Sequence, residues 1–197
     1  VLRSCGIFMK TRNNLPVLSI KIVLAALLLA GAPATLHAQL VADGGTTNIT
    51  TGINLPGNLI VGTNAGNTTL NIIAPGAVTN AFGFIGLNTL AVSNKITVRN
   101  TNAVWRNTGD LHIGTNSAFN SLVVSNGGSV SSANALLGYT ASGSNNQVTV
   151  IGPGSVWNGG NLLYVGVIGS FNTLLITNGG LVTNVSAVIA NSAASSN

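Results

Sequence analysis

The chain has 197 residues, and 5% of them are charged, whereas globular proteins carry about 25%. The formal net charge of +5 is concentrated near the start, because four of the seven basic residues precede residue 22. Residues 39–197 contain three basic and two acidic side chains. Nucleic-acid binding depends on clustered Lys and Arg, so this composition argues against a nucleic-acid partner.

Residues 9–38 have the pattern of a secretory signal peptide. A basic segment precedes an apolar run of nine residues, 22–30, which is shorter than the about 20 residues that span a bilayer. We expect cleavage after Ala38, so that the mature chain begins at Gln39 and has no membrane span. Cleavage after Ala34 is a second candidate, and retention of the segment as a membrane anchor is the competing interpretation.

Residues 1–8 are interpreted as an upstream extension of the signal peptide. Met9 is a better start than Val1, and the sequence alone leaves both starts open. Cys5 is the only cysteine and lies in this extension. The mature chain therefore has no thiol for a disulfide or a cysteine metal site.

An internal repeat of 52 residues is the strongest pattern in the sequence. Residues 59–110 and 111–162 share fourteen identities without gaps, and residues 111–145 and 163–197 share thirteen. A fixed period of this length predicts a repeat architecture. We interpret 59–110, 111–162 and the incomplete 163–197 as repeat units, and residues 39–58 as an N-terminal cap or lead-in.

Glycine and tryptophan mark equivalent positions of these units. Tryptophan in an aligned repeat is typical of packing between coils, and exposed rings that stack on sugars are the alternative. The repeat-signature residues are Gly62, Gly114, Gly166, Gly128, Gly180, Trp105 and Trp157.

Each unit divides into two halves of 24–28 residues, and each half has three short runs of alternating apolar and polar residues. Period-two alternation predicts strands with one buried face. We therefore predict an all-β fold, a right-handed parallel β-helix (β-solenoid) with two coils per 52-residue repeat and about six coils in all. The side chains expected to point inward include Leu59, Val61, Leu70, Ile72 and Val78.

The same alternation sets the register of the later strands. It predicts that Leu122, Val124, Leu174 and Ile176 point inward, and that Val123 and Leu175 point outward as a surface for partners. Aligned asparagines are either hydrogen-bonded ladders along the axis or ordinary turn residues. The candidate ladder pairs are Asn64 with Asn116, Asn126 with Asn178, and Asn94 with Asn146, and Phe119 and Phe171 are expected to stack.

Residues 122–130 (LVVSNGGSV), 148–157 (VTVIGPGSVW) and 174–182 (LLITNGGLV) resemble the repeat associated with type V secretion (autotransporter) and PEP-CTERM proteins. The resemblance covers residues 59–197, and the first unit departs most, with Ala-Pro-Gly at 74–76 in place of the Asn-Gly-Gly turn. It implies an exported passenger region at the cell surface or outer membrane of a Gram-negative bacterium. The resemblance supplies no catalytic, metal-binding or cofactor-binding residues.

Enzyme chemistry has little support in the composition. Glycoside hydrolysis normally needs two carboxylates that face each other, and residues 39–197 hold only Asp43 and Asp110, which we expect to lie about two and a half coils apart. Asp110 beside His112 is a weak acid–base candidate. We predict no cofactor and no metal site.

The preferred interpretation is a non-enzymatic surface protein that acts as a stalk or adhesin. The alternatives are a carbohydrate-binding β-helix module and, less favoured, a polysaccharide-degrading enzyme. Its partners would be surface carbohydrate or another cell-surface protein. The repeat stops within a coil at Asn197, which suggests end-to-end self-association as a further possibility.

Overall fold

The computed structural model describes residues 21–23 and 39–197, and these residues form twenty strands and no helix. The strands in chain order are β1 (Lys21–Val23), β2 (Gln39–Ala42), β3 (Thr46–Ile49), β4 (Gly52–Asn54), β5 (Leu59–Val61), β6 (Thr69–Ile73), β7 (Ala77–Asn80), β8 (Gly83–Ile85), β9 (Lys95–Arg99), β10 (Val104–Asn107), β11 (Leu111–Ile113), β12 (Ser121–Ser125), β13 (Ser129–Ser131), β14 (Ala135–Leu137), β15 (Gln147–Ile151), β16 (Val156–Asn158), β17 (Leu162–Val165), β18 (Thr173–Thr177), β19 (Leu181–Thr183) and β20 (Ser186–Ile189).

The strands form three sheets that run the length of a solenoid. Sheet 1 has the order β1-β2-β5-β8-β11-β14-β17-β20, sheet 2 the order β3-β6-β9-β12-β15-β18, and sheet 3 the order β4-β7-β10-β13-β16-β19. All pairs are parallel except β1 with β2. Each coil contributes one strand to each sheet, so the predicted all-β parallel solenoid of about six coils is confirmed.

The strand register confirms two coils per repeat. In sheet 2 the partners Thr69, Lys95, Ser121 and Gln147 follow each other at equal intervals along the chain. In sheet 1 the number of residues between partners in neighbouring coils alternates between a smaller and a larger value, along the series Leu59, Gly83, Leu111, Ala135 and Leu163. The corner between sheets 1 and 2 compensates for this alternation, with seven residues at 62–68 and nine at 86–94. One long and one short coil together make the repeat unit.

Residues 39–58, interpreted as a lead-in, contain β2, β3 and β4, which pair in register with β5, β6 and β7. Most of the predicted signal peptide and its cleavage position at Ala38 lie outside the described residues. Its residues 21–23 form β1, the antiparallel edge strand of sheet 1. Within residues 21–23 and 39–197, no helix is long and apolar enough to cross a membrane.

The core is a narrow aliphatic column between the three sheets. The five side chains predicted to point inward from residues 59–78 are all fully buried. Leu122 and Val124 are fully buried as well, whereas Leu175 points outward with 44% of its surface exposed. Ile176 shares the inward register of Val150, but it is 47% exposed because it lies in the last complete coil.

Side-chain size alternates from coil to coil where sheets 1 and 3 face each other. Trp105 and Trp157 are fully buried in the core cluster, so the packing interpretation of the two tryptophans is confirmed. The coils that hold them have Gly83 or Ala135 in sheet 1, and the intervening coil has Leu111. A Cβ on Gly83 would lie 2.7 Å from Cζ2 of Trp105. Large residues therefore face small ones within a coil, which gives the repeat its two-coil period.

A column of asparagines closes the corner between sheets 1 and 2. Asn94, Asn120, Asn146 and Asn172 are buried at successive coils. The Oδ1 atom of Asn120 accepts hydrogen bonds from the backbone N and Nδ2 of Asn94, at 3.0 and 3.1 Å. The same two bonds join Asn120 to Asn146 and Asn146 to Asn172. We call these four residues the asparagine column.

The asparagine column corrects the predicted ladders. Asn94 and Asn146 belong to it, but Asn120 lies between them. Asn64 instead accepts a bond from Asn88 at 2.9 Å, and Asn116 accepts one from Thr140 at 2.7 Å. The other predicted pair, Asn126 and Asn178, consists of exposed turn residues with φ of 52° and 49°. Phe119 and Phe171 are two coils apart, so the predicted stacking of their rings is wrong.

Candidate binding face

The outer surfaces of the three sheets have different chemistry. The basic side chains of residues 39–197 are exposed on sheets 2 and 3, with Lys95 and Arg99 on β9 and Arg106 on β10. Sheet 1 instead presents apolar and aromatic residues. Four of the eight aromatic residues in this range lie on or beside its outer surface: Phe82, Phe84, Tyr139 and Tyr164.

The outward residues of sheet 1 form one continuous row in register. The middle residues of β5, β8, β11 and β14 face outward, and they pair along the sheet with each other and with Val41, Tyr164 and Val188. Ile60 is only 5% exposed, and the other six residues of the row are half-buried. At about 4.8 Å per strand, the row is roughly 29 Å long. We call this row, with Phe82 and Tyr139 beside it, the sheet 1 face; the row comprises Val41, Ile60, Phe84, His112, Leu136, Tyr164 and Val188.

His112 lies in the middle of the sheet 1 face. Its ring stacks on Phe84 with 5.2 Å between centroids, and Tyr139 meets it edge-on at 5.5 Å. Its Nδ1 atom is buried and has no hydrogen-bond partner among the described residues. Burial lowers the pKa of His112 from its ordinary value, and the carboxylate of Asp110 opposes this by favouring the charged imidazole. The imidazole is therefore neutral at neutral pH.

We expect the free energy of unfolding to fall as the pH is lowered through the ordinary histidine pKa of about 6.5. In that range the unfolded chain takes up a proton that folded His112 resists, so acid favours unfolding. The contribution of neutral His112 to the free energy of unfolding is fully present above about pH 6.5, and it is lost as the pH falls through the lowered pKa of the folded state. Urea titrations between pH 8 and pH 5 would measure this slope.

His112→Phe is the matched control, because phenylalanine keeps the stack on Phe84 and does not titrate. Its stability should change less over this pH range than that of the unmodified protein. If the free energy of unfolding depends equally on pH in both proteins, His112 is not the source of the pH dependence.

The two carboxylates of residues 39–197 lie at different corners of the solenoid. Asp43 follows β2 at the corner between sheets 1 and 2, where Oδ1 accepts backbone N–H bonds from Thr63 at 3.0 Å and Ala65 at 2.9 Å. Asp110 precedes β11, at the opposite end of a sheet 1 strand three rungs away, and its Oδ1 accepts a 2.7 Å bond from Asn134. Three rungs correspond to about 14 Å along the axis. Paired glycosidase carboxylates lie about 5–9.5 Å apart, so these two do not form such a pair.

Metal-binding side chains are dispersed in the described part of the chain. Residues 21–23 and 39–197 contain no group of three or more His, Cys, Asp or Glu side chains that could hold a metal ion. Asp110 directly precedes β11, which holds His112, but the described residues place no second acid beside them.

The repeat-signature residues serve the solenoid itself. Gly62, Gly114 and Gly166 have φ near 70–81°, and a Cβ on Gly114 would lie 2.1 Å from Nδ2 of Asn146. A Cβ on Gly128 or Gly180 would lie 2.4 or 2.3 Å from a backbone carbonyl of the preceding coil. These glycines allow successive coils to approach each other, and none belongs to the sheet 1 face.

Comparison with protein-family models, with curated proteins and with solved structures finds no match to this chain.

Proposed function

We propose that the chain is a non-enzymatic exported surface protein, similar to an autotransporter passenger, whose solenoid acts as a stalk or adhesin. The signal-like segment at residues 9–38 and the repeat resemblance support export to the surface of a Gram-negative bacterium. The three continuous sheets support the stalk, because each coil adds about 4.8 Å of hydrogen-bonded length.

The observation that carries the adhesive role is the in-register row of the sheet 1 face. Interfaces are enriched in aromatic residues and depleted of charge at their centre, and contiguous exposed apolar surface marks interaction sites. Phe82 and Tyr139 are each 43% exposed beside the row. The binding surface is thus a face shared by several coils, and its partner is a protein or carbohydrate of another cell surface.

Carbohydrate binding is the second candidate, and the polar groups beside the aromatic residues favour it. Asp110 and Asn134 are hydrogen-bonded to each other at 2.7 Å and can also bind sugar hydroxyls. The stacking of Phe84 on His112 argues against carbohydrate binding. Only 20° separates the planes of the two rings, so each ring covers one face of the other. Free ring faces for a sugar are then limited to the flanking aromatic residues.

We expect Phe82→Ser and Tyr139→Ser each to weaken binding of the purified protein to intact cells about tenfold. A few residues contribute most of the binding energy of an interface, and aromatic residues are enriched there. A loss of about 1.4 kcal/mol corresponds to a tenfold change in affinity. Flow cytometry with labelled protein on intact bacterial and eukaryotic cells would measure the binding.

Leu175→Ser is the matched control, because Leu175 is 44% exposed on sheet 2. It should bind as the unmodified protein does. Competition by soluble polysaccharide would identify the carbohydrate alternative, and loss after protease treatment of the cells would identify a protein partner. Unchanged binding by both aromatic variants, or an equal loss with Leu175→Ser, would contradict the assignment to the sheet 1 face.

A further inference from the structure

The indole N–H of Trp105 is part of a complete hydrogen-bond chain. Nε1 donates to Oδ1 of Asn80 at 2.8 Å. Nδ2 of Asn80 donates to Oδ1 of Asn107 at 2.7 Å, and Nδ2 of Asn107 donates to the carbonyl of Ser131 at 3.1 Å. Each step connects neighbouring coils, so the buried polar atoms around this tryptophan are satisfied.

The same position in the next repeat unit lacks this chain of bonds. Trp157 pairs with Val130 in sheet 3 as Trp105 pairs with Val78, so the repeat places Ser132 where Asn80 stands and Gly159 where Asn107 stands. Nε1 of Trp157 and Oγ of Ser132 are both buried, and neither has a hydrogen-bond partner among the described residues. Such groups are rare in native proteins and are usually bonded to ordered water.

The substitutions also remove side-chain atoms beside Trp157. Compared with the first unit, Gly159 lacks the four side-chain atoms of an asparagine and Ser132 lacks two, while Ala135 adds one in place of Gly83. A Cβ on Gly159 would have its nearest neighbours at 3.5 Å or more. The nearest polar side chain there is that of Asn184, whose Cβ would lie 3.8 Å from it, and Asn184 forms no hydrogen bond with Nε1 of Trp157.

We propose that this position is a binding site for ordered water inside the solenoid. A water molecule there accepts the hydrogen bond of Trp157 Nε1 and bonds to Ser132 Oγ, so it replaces the asparagine amides of the first unit. Buried waters typically bond to two to four polar groups that would otherwise be unsatisfied, and Trp157 Nε1 and Ser132 Oγ are two such groups. The proposal does not depend on the function of the sheet 1 face.

The two tryptophans of the chain allow a direct test by nuclear magnetic resonance. In ¹⁵N-labelled protein, Trp105→Phe and Trp157→Phe would assign the two indole N–H signals. We expect the Trp157 signal to show cross-relaxation with water and the Trp105 signal to show none. No water contact at Trp157, or equal contact at both indoles, would overturn the proposal.

Exchange of the two environments gives a reciprocal test. The triple variant Ser132→Asn, Ala135→Gly and Gly159→Asn rebuilds the amide chain, so the water signal at Trp157 should disappear. The opposite variant, Asn80→Ser, Gly83→Ala and Asn107→Gly, should produce a water signal at Trp105. Persistence of the Trp157 signal in the rebuilt chain would contradict the site, and the unmodified protein provides the decisive measurement if either variant fails to fold.

Discussion

Leu122→Asp is expected to unfold the solenoid or to remove most of its stability. Leu122 is fully buried, and its partners along the column are Ile96 and Val148. A carboxylate at this position would be surrounded by aliphatic side chains, and burying it costs several kcal/mol or forces its protonation. Domains are stable by only about 5–15 kcal/mol. Circular dichroism during denaturant titration, with protease resistance as a second measure, would detect the loss.

Val123→Asp is the control one residue away on the same strand. Val123 points outward between Thr97 and Thr149, where a carboxylate stays hydrated. We expect this variant to lose no more than about 1 kcal/mol, since surface substitutions usually have small effects. Equal losses, or a larger loss for Val123→Asp, would mean that the strand is shifted by one residue, because such a slip exchanges the two faces.

The register of these strands could be predicted because sheet 2 has polar outward residues. Thr97, Ser121 and Thr149 alternate with fully buried neighbours in strands of five residues, which is long enough for a period of two to be visible. The inward predictions for Leu70 and Ile72 on β6 were correct for the same reason, and those for Leu59, Val61 and Val78 were correct as well. The sequence also predicted two coils per repeat, because its half-units could be aligned with each other.

The cause of the two-coil period could not be predicted from the pattern. It depends on contact across the coil, where Trp105 extends over Gly83 and where a Cβ would come within 2.7 Å of the indole ring. The glycine looks like an ordinary turn residue in the sequence. Only the register places it against the tryptophan twenty-two residues later.

The sheet 1 face was also missed, for a related reason. Its strands are three residues long, and several are apolar at every position, as in Leu59–Val61 and Ala135–Leu137. Such runs give no sign of which side chain points outward. The available signal was the clustering of aromatic residues near 82–84, 139 and 164, which gains meaning once the strands are stacked. The sequence instead singled out Leu175, an outward residue of sheet 2.

The asparagine column shows how a long repeat can conceal a shorter spacing. An alignment of whole repeat units pairs Asn94 with Asn146 and Asn120 with Asn172, although the hydrogen bonds join asparagines one coil apart. A shift of 24 residues, which aligns Gly62 with Gly86 and Gly114 with Gly138, leaves these asparagines unpaired, because the corners that precede them alternate between seven and nine residues. Sheet 2 has the same constant spacing as the column, because its strands begin directly after these asparagines.

Asn120→Ala is expected to lower the free energy of unfolding by about 3–5 kcal/mol, since each buried group left unpaired costs about 1–3 kcal/mol and the lost side chain adds a cavity term. Asn120 is fully buried, and its Nδ2 donates to Ser117 Oγ and to Asn146 Oδ1, each at 3.0 Å. Alanine would remove these donors and leave the backbone N–H of Asn94 without its acceptor. Urea denaturation followed by circular dichroism would measure the change.

Asn145→Ser is the control for this substitution, because Asn145 lies beside the column and is exposed. Its φ is 55°, and Ser93 has φ of 59° at the equivalent position of the previous unit. A serine is therefore already accommodated in this conformation, and we expect a loss within about 0.5 kcal/mol. Equal stability of the two variants would show that the side-chain amides of the column add nothing to the backbone ladders. A large loss with Asn120→Ala alone would show that buried amide bonds between coils, and not the general abundance of asparagine in turns, stabilise the corner beside sheet 2.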